Sequence, residues 1–278
     1  MLSAIPWSEV AVLIGALLAG GVASGILAGL LGVGGGGIIV PVLYEVFRII
    51  GVSDDVRMQL CIGTSLAIII PTSIRSFQAH KARGLVVPGL MKALGVPAVL
   101  GVIAGSALAG VVPGAVLQGV FIVVAVILAA KSIAGRADWR LGDTLPGPAV
   151  LRICGFVIGM ASSMIGIAGG GLATILLTLY GVPIHAAVAT SAGIGIFIPI
   201  PGVIGYAVTG WPHLAELPPL SIGYVSVLGF LCMAPVSTLV APLGARLAHA
   251  LPRRALEVGF GLFLLAVAAR FLAAILWG

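Results

Sequence analysis

Long apolar runs, broken by short polar or Pro/Gly-rich stretches, follow one another along the whole chain. We place ten apolar segments, five in each half of the sequence. Their approximate limits are residues 10–32, 38–50, 58–79, 88–110, 114–134, 149–167, 171–181, 186–208, 219–247 and 253–276. A helix that crosses the hydrocarbon core of a bilayer needs about 20 apolar residues, which most of these segments provide. The pattern predicts an all-α polytopic membrane protein.

Composition and charge agree with a membrane environment. Of the 278 residues, 60% are hydrophobic and only 8% are charged, with a mean hydropathy of +1.27. The net charge of +6 comes from 14 Lys and Arg residues in loops and at segment ends, with no basic arm, which argues against a nucleic-acid partner. The three cysteines stand singly in apolar segments, so we predict neither a metal site nor a cofactor.

The two halves of the chain are related in sequence. Residues 25–37 align with residues 159–171, and the same order of motifs continues downstream. Thr64-Ser65 then falls opposite Thr190-Ser191, Gly84 opposite Gly210, Gly105 opposite Gly244, and Pro113 opposite Pro252. This duplication predicts a first repeat at 1–134, a cytoplasmic linker at 135–148 and a second repeat at 149–278.

Loop charges indicate that the repeats are inverted. The loop after the third segment carries Lys81, Arg83 and Lys92, whereas its equivalent after the eighth carries only His213 and Glu216. The bias reverses at the next loop, which is uncharged in the first half and has three arginines in the second. Because basic loops are cytoplasmic, equivalent loops lie on opposite sides of the membrane. We therefore expect two inverted repeats with both termini outside.

Two glycine clusters at membrane depth are candidates for an anion site. They comprise Gly34, Gly35, Gly36 and Gly37 in the first repeat and Gly169, Gly170 and Gly171 in the second. Glycine runs leave backbone N–H groups unpaired, and the positive ends of the helices that follow favour a negative ligand. Close helix packing is the alternative, and it is our interpretation of the upstream glycines. Those are Gly21, Gly25, Gly29, Gly155 and Gly159.

The segment after each cluster is short. The seventh has roughly eleven residues, which at about 1.5 Å each reach only half of the hydrocarbon thickness. Two geometries remain open at this point. The helices are either broken or re-entrant, with the glycines near the midplane, or they are full-length tilted spans.

Paired hydroxyls lie in the third and eighth segments. Thr64 and Ser65 correspond to Thr190 and Ser191, and helix-breaking prolines follow: Pro71 in the first repeat, Pro199 and Pro201 in the second. These hydroxyls can donate hydrogen bonds to an oxyanion, or they can bond the carbonyl of the preceding turn. Because the pair is duplicated, we consider an anion-binding role and a purely structural role equally.

The third segment also ends in polar residues. Arg75 has no carboxylate partner in its own segment, and with Gln78 it indicates either a bound anion or side chains that extend to the interface. His80 is expected in the following loop, where it could gate a path. We interpret Lys131, His185 and Arg270 as interfacial residues.

Other activities are disfavoured by what the apolar segments contain. The glutamates stand at segment ends or in loops, which argues against a cation pathway or a carboxylate proton relay. Gly32 to Gly37 matches a dinucleotide-binding G-x-G-x-x-G, but it follows an apolar segment instead of a strand, and Ala168 interrupts the second copy. No H-E-x-x-H or G-x-S-x-G motif is present, so we predict that the protein is not an enzyme.

These motifs together resemble a known family. The glycine motif at Gly32–Gly37 and at Gly166–Gly171, each followed by a Thr-Ser-bearing helix, with His80-Lys-Ala-Arg-Gly84 after the first, is similar to the TauE/SafE family of sulfite exporters. The resemblance covers nearly the whole chain and implies export of sulfite, sulfoacetate or related sulfonates across a bacterial inner membrane. Tyr206 stands where His80 does, so the halves are expected to contribute unequally.

The function predicted from the sequence is secondary transport of a small sulfur-containing anion by alternating access between the repeats. A carrier of another anion, such as a carboxylate or an inorganic sulfur species, operating in either direction, is the alternative. The sequence leaves open the exact anion, any coupling ion, and whether the carrier is a monomer or a homodimer.

Overall fold

The structure is a computed structural model that describes residues 7–31, 36–82, 84–134, 141–142, 144–250 and 252–277. Within these ranges the chain forms eleven α-helices. They are α1 (Trp7–Leu31), α2 (Gly36–Ile49), α3 (Asp54–Ala82), α4 (Pro88–Ala109), α5 (Gly114–Ala134), α6 (Pro148–Ile165), α7 (Gly170–Leu179), α8 (Ile184–Phe197), α9 (Pro199–Thr209), α10 (Val227–Ala250) and α11 (Arg253–Trp277). Among the described residues, seven helical stretches are long and apolar enough to cross a membrane, with α8 and α9 counted as one. The all-α polytopic fold predicted from the sequence is confirmed.

Prolines act differently in the two halves. The eighth predicted segment breaks at Ile198, and Pro199 starts α9, where its missing N–H needs no partner. The break predicted at Pro71 is wrong, because α3 continues through this residue to Ala82. A single proline is accommodated within a long, well-packed helix.

The ninth predicted segment also begins too early. The stretch 219–226 is a loop in which Leu220 has a positive φ of 61° and Ser221 pairs with Ser226 in an isolated β-bridge. The second part of this loop is buried, with Tyr224 only 2% exposed, whereas Leu220 and Ile222 are 70% and 52% exposed. Helix α10 starts at Val227, where the Ser226 hydroxyl accepts a hydrogen bond from the N–H of Gly229 (3.1 Å).

The longest helix, α3, occupies the centre of the molecule. Every residue from 56 to 69 is buried, and α3 packs against α2, α5, α8, α9 and α10. Its buried charge, Arg57, is paired with Asp54 and donates to the carbonyl of Val52 (3.0 Å). The remaining helices surround this core and present apolar residues such as Val96 and Val123 on the outside.

The main helix pairs join opposite halves of the chain. Helix α1, the first of the first half, packs along α10, and α6, the first of the second half, packs along α4. Glycines allow the backbones to touch: a Cβ on Gly159 would fall on the Ala98 carbonyl, and one on Gly25 would lie 2.7 Å from the Cα of Ser237. The predicted packing role is confirmed for Gly21, Gly25, Gly155 and Gly159, while the surroundings of Gly29 lie outside the described part.

Helices α6 and α7 form a hairpin. Helix α6 begins directly after the linker, and the N–H of Leu141 in that linker donates to the carbonyl of Leu179 at the end of α7 (2.8 Å). Both ends of the hairpin therefore lie on one side of the molecule, which we call the linker side. With ten residues, α7 is about 15 Å long, which is about half of the hydrocarbon thickness of a bilayer.

Candidate functional site

The tip of this hairpin is a tight turn, residues 166–169, that requires glycine at two positions. Gly166 ends α6 with φ 72° and ψ 32°, and Gly169 precedes α7 with φ 72° and ψ −9°. Both conformations are left-handed, which disfavours any residue with a Cβ. We call residues 166–170 the glycine turn. It directs the start of α7 back toward the linker side.

The glycine turn lies against the other half of the protein. A Cβ on Gly166 would come within 2.7 Å of the Val40 side chain in α2 and 3.2 Å of the Ile62 Cα in α3. The Ser65 hydroxyl in α3 donates to the Gly166 carbonyl (2.8 Å). The turn is therefore held between the two halves of the chain.

The start of α7 leaves backbone donors available. Gly169 has no side chain with which to cap the helix, and the first N–H groups of any helix lack intrahelical acceptors. Gly170 and Gly171 are half-buried, so a small ligand can reach their amides. These amides and the positive end of the helix favour an anion.

Ser162 supplies a second donor at the same place. Its hydroxyl is fully buried and has no hydrogen-bond partner, and the oxygen lies 2.8 Å from where a Cβ on Gly169 would be. A buried hydroxyl without a partner is unfavourable by about 1–3 kcal/mol, which a bound oxyanion would remove. In the repeat alignment, the equivalent of Ser162 is Ala28.

The threonines of the duplicated Thr-Ser pairs bond to backbone from the opposite half. Thr64 Oγ1 accepts from the N–H of Ser226, directly before α10 (2.9 Å), and Thr190 Oγ1 accepts from the N–H of Val87, directly before α4 (3.1 Å). Both threonines are fully buried. In this conformation the two hydroxyls fasten the starts of equivalent helices.

The serines of these pairs lie at the glycine turn. Ser65 contacts Gly166, as described above, and the backbone carbonyl of Ser191 would lie 3.5 Å from a Cβ on Gly170. The Ser191 hydroxyl lies 2.6 Å from Thr174 Oγ1 in α7. The structure thus brings Ser65, Ser191 and the second glycine cluster together.

The first glycine cluster is described only in part. Gly34 and Gly35 lie outside the described residues, while Gly36 and Gly37 form the start of α2. Gly37 is half-buried, and a Cβ there would lie 3.8 Å from the Leu264 side chain in α11.

The last turns of α3 hold the remaining predicted site residues. Arg75 and Gln78 are exposed, and His80 is half-buried. His80 lies within the helix, so its predicted position in a loop is wrong. No hydrogen bond or ion pair in the described part joins Arg75 or Gln78 to the glycine turn, and their role in binding stays a prediction.

Several polar contacts were not anticipated from the sequence. Glu45 lies within α2 instead of at its boundary, and it pairs with Arg270 of α11 (3.0 Å) as well as with Arg48 (2.8 Å). Ser162 and Thr174 were also missed, because a single hydroxyl in a glycine-rich apolar segment resembles an ordinary packing residue. Among the described residues, no cluster of three His, Cys, Asp or Glu side chains that could hold a metal ion is found.

Comparisons with known proteins agree with this architecture. The family model described as Sulfite exporter TauE/SafE matches residues 17–271. A probable membrane transporter protein of Haemophilus influenzae is 34% identical over 248 residues, which cover 89% of this chain and 94% of the relative. A probable membrane transporter protein of Methanocaldococcus jannaschii is 28% identical over 216 residues, 76% of this chain and 77% of the relative. No solved structure gives a significant match.

The family match extends over both halves of the chain, including the glycine turn and all four residues of the Thr-Ser pairs. Together with the spanning helices, it shows that the chain is a multi-pass membrane transporter and belongs to the TauE/SafE family of sulfite exporters.

Proposed function

We propose that this protein is a secondary transporter of a small sulfur-containing anion such as sulfite or a sulfonate, which it binds at the glycine turn between the two halves. The family description and the resemblance noted above support the sulfur chemistry. The geometry supports the binding of an oxyanion. Another oxyanion, such as a carboxylate or an inorganic sulfur species, would satisfy the same donors and is the second candidate.

The buried hydroxyl of Ser162, without a partner beside the uncapped start of α7, is the observation that carries this proposal. An oxyanion bound here would accept hydrogen bonds from this hydroxyl and from the amides of Gly170 and Gly171. A cation would face the positive end of a helix and no carboxylate from the turn, so an anion is strongly preferred.

Transport also needs access from both sides of the membrane. The repeat alignment and the reversed loop charges support two inverted repeats, 1–134 and 149–278, with a cytoplasmic linker at 135–148. In both helix pairs, α1 with α10 and α4 with α6, the two helices come from different halves of the chain. Two such repeats would produce this arrangement. In a bacterial inner membrane, an interior-negative potential favours anion exit by about 2.3 kcal/mol per charge per 100 mV, so export needs no coupling ion.

Flux into proteoliposomes tests the proposal. The purified protein is reconstituted, and uptake of sulfite and sulfoacetate is measured with an imposed membrane potential, with chloride and glutamate as comparison anions. We expect saturable flux of the sulfur anions that exceeds leakage in protein-free vesicles. Saturable glutamate flux without sulfur-anion flux would favour the second candidate, and absence of any saturable anion flux would contradict transport at this site.

A further inference from the structure

A lysine lies near the linker-side end of α7. Lys131, in the last turn of α5, is half-buried, and its ammonium lies 3.4 Å from the Thr178 hydroxyl. Among the described residues, no carboxylate lies within ion-pair distance of this ammonium. An uncompensated positive charge inside an apolar protein surface attracts anions and raises their local concentration.

Hydroxyl groups continue from this lysine to the glycine turn. Thr178 and Thr174 are four residues apart on α7, so they lie on the same face, and Gly170 is one further turn away. The Thr178 hydroxyl donates to the Thr174 carbonyl (2.9 Å), and Thr174 Oγ1 contacts the Ser191 hydroxyl (2.6 Å). We call Lys131, Thr178, Thr174 and Ser191 the polar track.

Helix α7 is more enclosed by the protein than the outer helices are. From Gly170 to Tyr180, every residue is buried or half-buried, and none is exposed. On α5, by contrast, Val123 is 59% exposed and Ile127 is 56% exposed, as expected for a helix that faces lipid. Ala173 and Leu177 are fully buried, whereas Thr174 and Thr178 lie on the partly exposed face of α7.

On the opposite side of the molecule, the residue equivalent to Lys131 is paired with a carboxylate of the protein. In the repeat register that places Pro113 opposite Pro252, Lys131 falls opposite Arg270. Arg270 faces α2, the counterpart of α7, across a recess of about 240 Å³, but there the Glu45 carboxylate takes the place beside the guanidinium. An internal carboxylate therefore occupies the position that an anion would need, whereas no carboxylate of the described residues takes this place beside Lys131.

We infer that Lys131 recruits the anion at the linker side and that the polar track conducts it to the glycine turn. This inference rests on the proposed function, since it names the route to the same site. In this route the ammonium replaces part of the water around the anion at the mouth. The hydroxyls of Thr178 and Thr174 then turn from their partners within the protein to donate to the anion.

Charged thiol reagents test the route without requiring the substrate to be known. The three native cysteines are replaced by alanine, and Thr178→Cys is introduced into the reconstituted protein. We expect the anionic reagent MTSES, added from the linker side, to modify this cysteine faster than the cationic reagent MTSET, relative to their rates with a free thiol. Adding Lys131→Gln should remove most of this preference by slowing MTSES about tenfold.

Two variants distinguish a charge effect from a change in folding. Lys131→Arg keeps the charge and should keep the preference for MTSES. Arg270→Gln removes the equivalent charge on the opposite side and should leave the reactivity of Thr178→Cys unchanged. If Lys131→Gln leaves the ratio of the two rates unchanged, or if Thr178→Cys does not react from the linker side, the route is wrong.

The flux assay separates this inference from the proposed function. In wild-type vesicles, saturable sulfite flux tests the site itself. With Lys131→Gln we expect the KM for sulfite on the linker side to rise about tenfold with little change in kcat, because recruitment and not the site is altered. If the wild type transports sulfite and Lys131→Gln has the same KM, the role of Lys131 is wrong but the proposed function stands. If the wild type shows no flux, the proposed function itself is wrong.

Discussion

At the scale of single residues, the two adjacent serines at the end of α6 have different roles. The Ser163 hydroxyl donates to the Met160 carbonyl (2.9 Å), which satisfies it within its own helix. The Ser162 hydroxyl has no partner, although both side chains are buried. The sequence shows two identical residues side by side, and only the three-dimensional position relative to Gly169 separates them.

Ser162→Ala provides the most direct test of the glycine turn. Because no hydrogen bond is lost in the empty site, we expect thermal stability in detergent to be unchanged or slightly higher. Loss of a hydrogen bond to a charged ligand, about 1.5–3 kcal/mol, should raise the KM for sulfite about tenfold or more. Ser163→Ala is the matched control and should leave the KM unchanged. Equal KM values for both variants and the wild type would exclude Ser162 from the site.

At the scale of helices, most elements could be predicted from hydropathy, because a membrane span must be continuously apolar. The errors occur where apolar residues serve another purpose. The stretch 219–226 is a loop whose apolar residues are partly buried, such as Tyr224, and partly exposed, such as Leu220 at 70%. Pro71 does not end α3, since the helix continues through it to Ala82. The hairpin of α6 and α7 was one of two open geometries, since segment length alone does not tell where a short helix ends.

The site could be predicted only in outline, because a local sequence pattern does not identify partners that are distant in the chain. Periodicity and duplication indicated the second glycine cluster, Ser65 and Ser191, which the structure brings together. The partners of Thr64 and Thr190 are 162 and 103 residues away in the chain, so no local pattern reveals them.

These threonines should therefore affect stability more than affinity. Thr64→Val leaves the buried N–H of Ser226 without an acceptor, which destabilises by about 1–3 kcal/mol, and Thr190→Val does the same to the less buried N–H of Val87, with a smaller loss. We expect the melting temperature in detergent to fall by several degrees in each variant, since about 1 kcal/mol corresponds to roughly 2–4 °C for a chain of this size. Thr→Ser at either position retains the acceptor and should restore stability. Unchanged melting with lost sulfite binding would instead assign the hydroxyls to the ligand.

At the scale of the whole molecule, the orientation of the two halves can be measured directly. Ser53, between α2 and α3, and His185, at the start of α8, are exposed at equivalent places in the two repeats. In a cysteine-free background, Ser53→Cys and His185→Cys should be labelled by a membrane-impermeant maleimide from opposite sides. Thr144→Cys in the linker should be labelled from the same side as His185→Cys. Labelling of Ser53→Cys and His185→Cys from one side would mean that the repeats are parallel.

The exchange of helix partners limits how such a transporter can move. Because α1 packs on α10 and α4 packs on α6 through backbone contacts at glycine, the two halves cannot rock against each other as separate rigid bodies. The units that move together are expected to be these mixed pairs. Helix α7, whose extensive packing is limited to α8, is the element most free to shift against them.

The same partner exchange affects how the protein is made. Helix α1 enters the bilayer well before its main partner, α10, which begins only at Val227. During that interval the glycine face of α1 must rest against lipid, which an apolar helix tolerates because hydrocarbon chains are as apolar as its own side chains. Assembly of this helix pair is thus completed only after α10 has been translated. A chain that stops before α10 leaves α1 without its partner, and such an incomplete product is a natural substrate for membrane quality-control proteases.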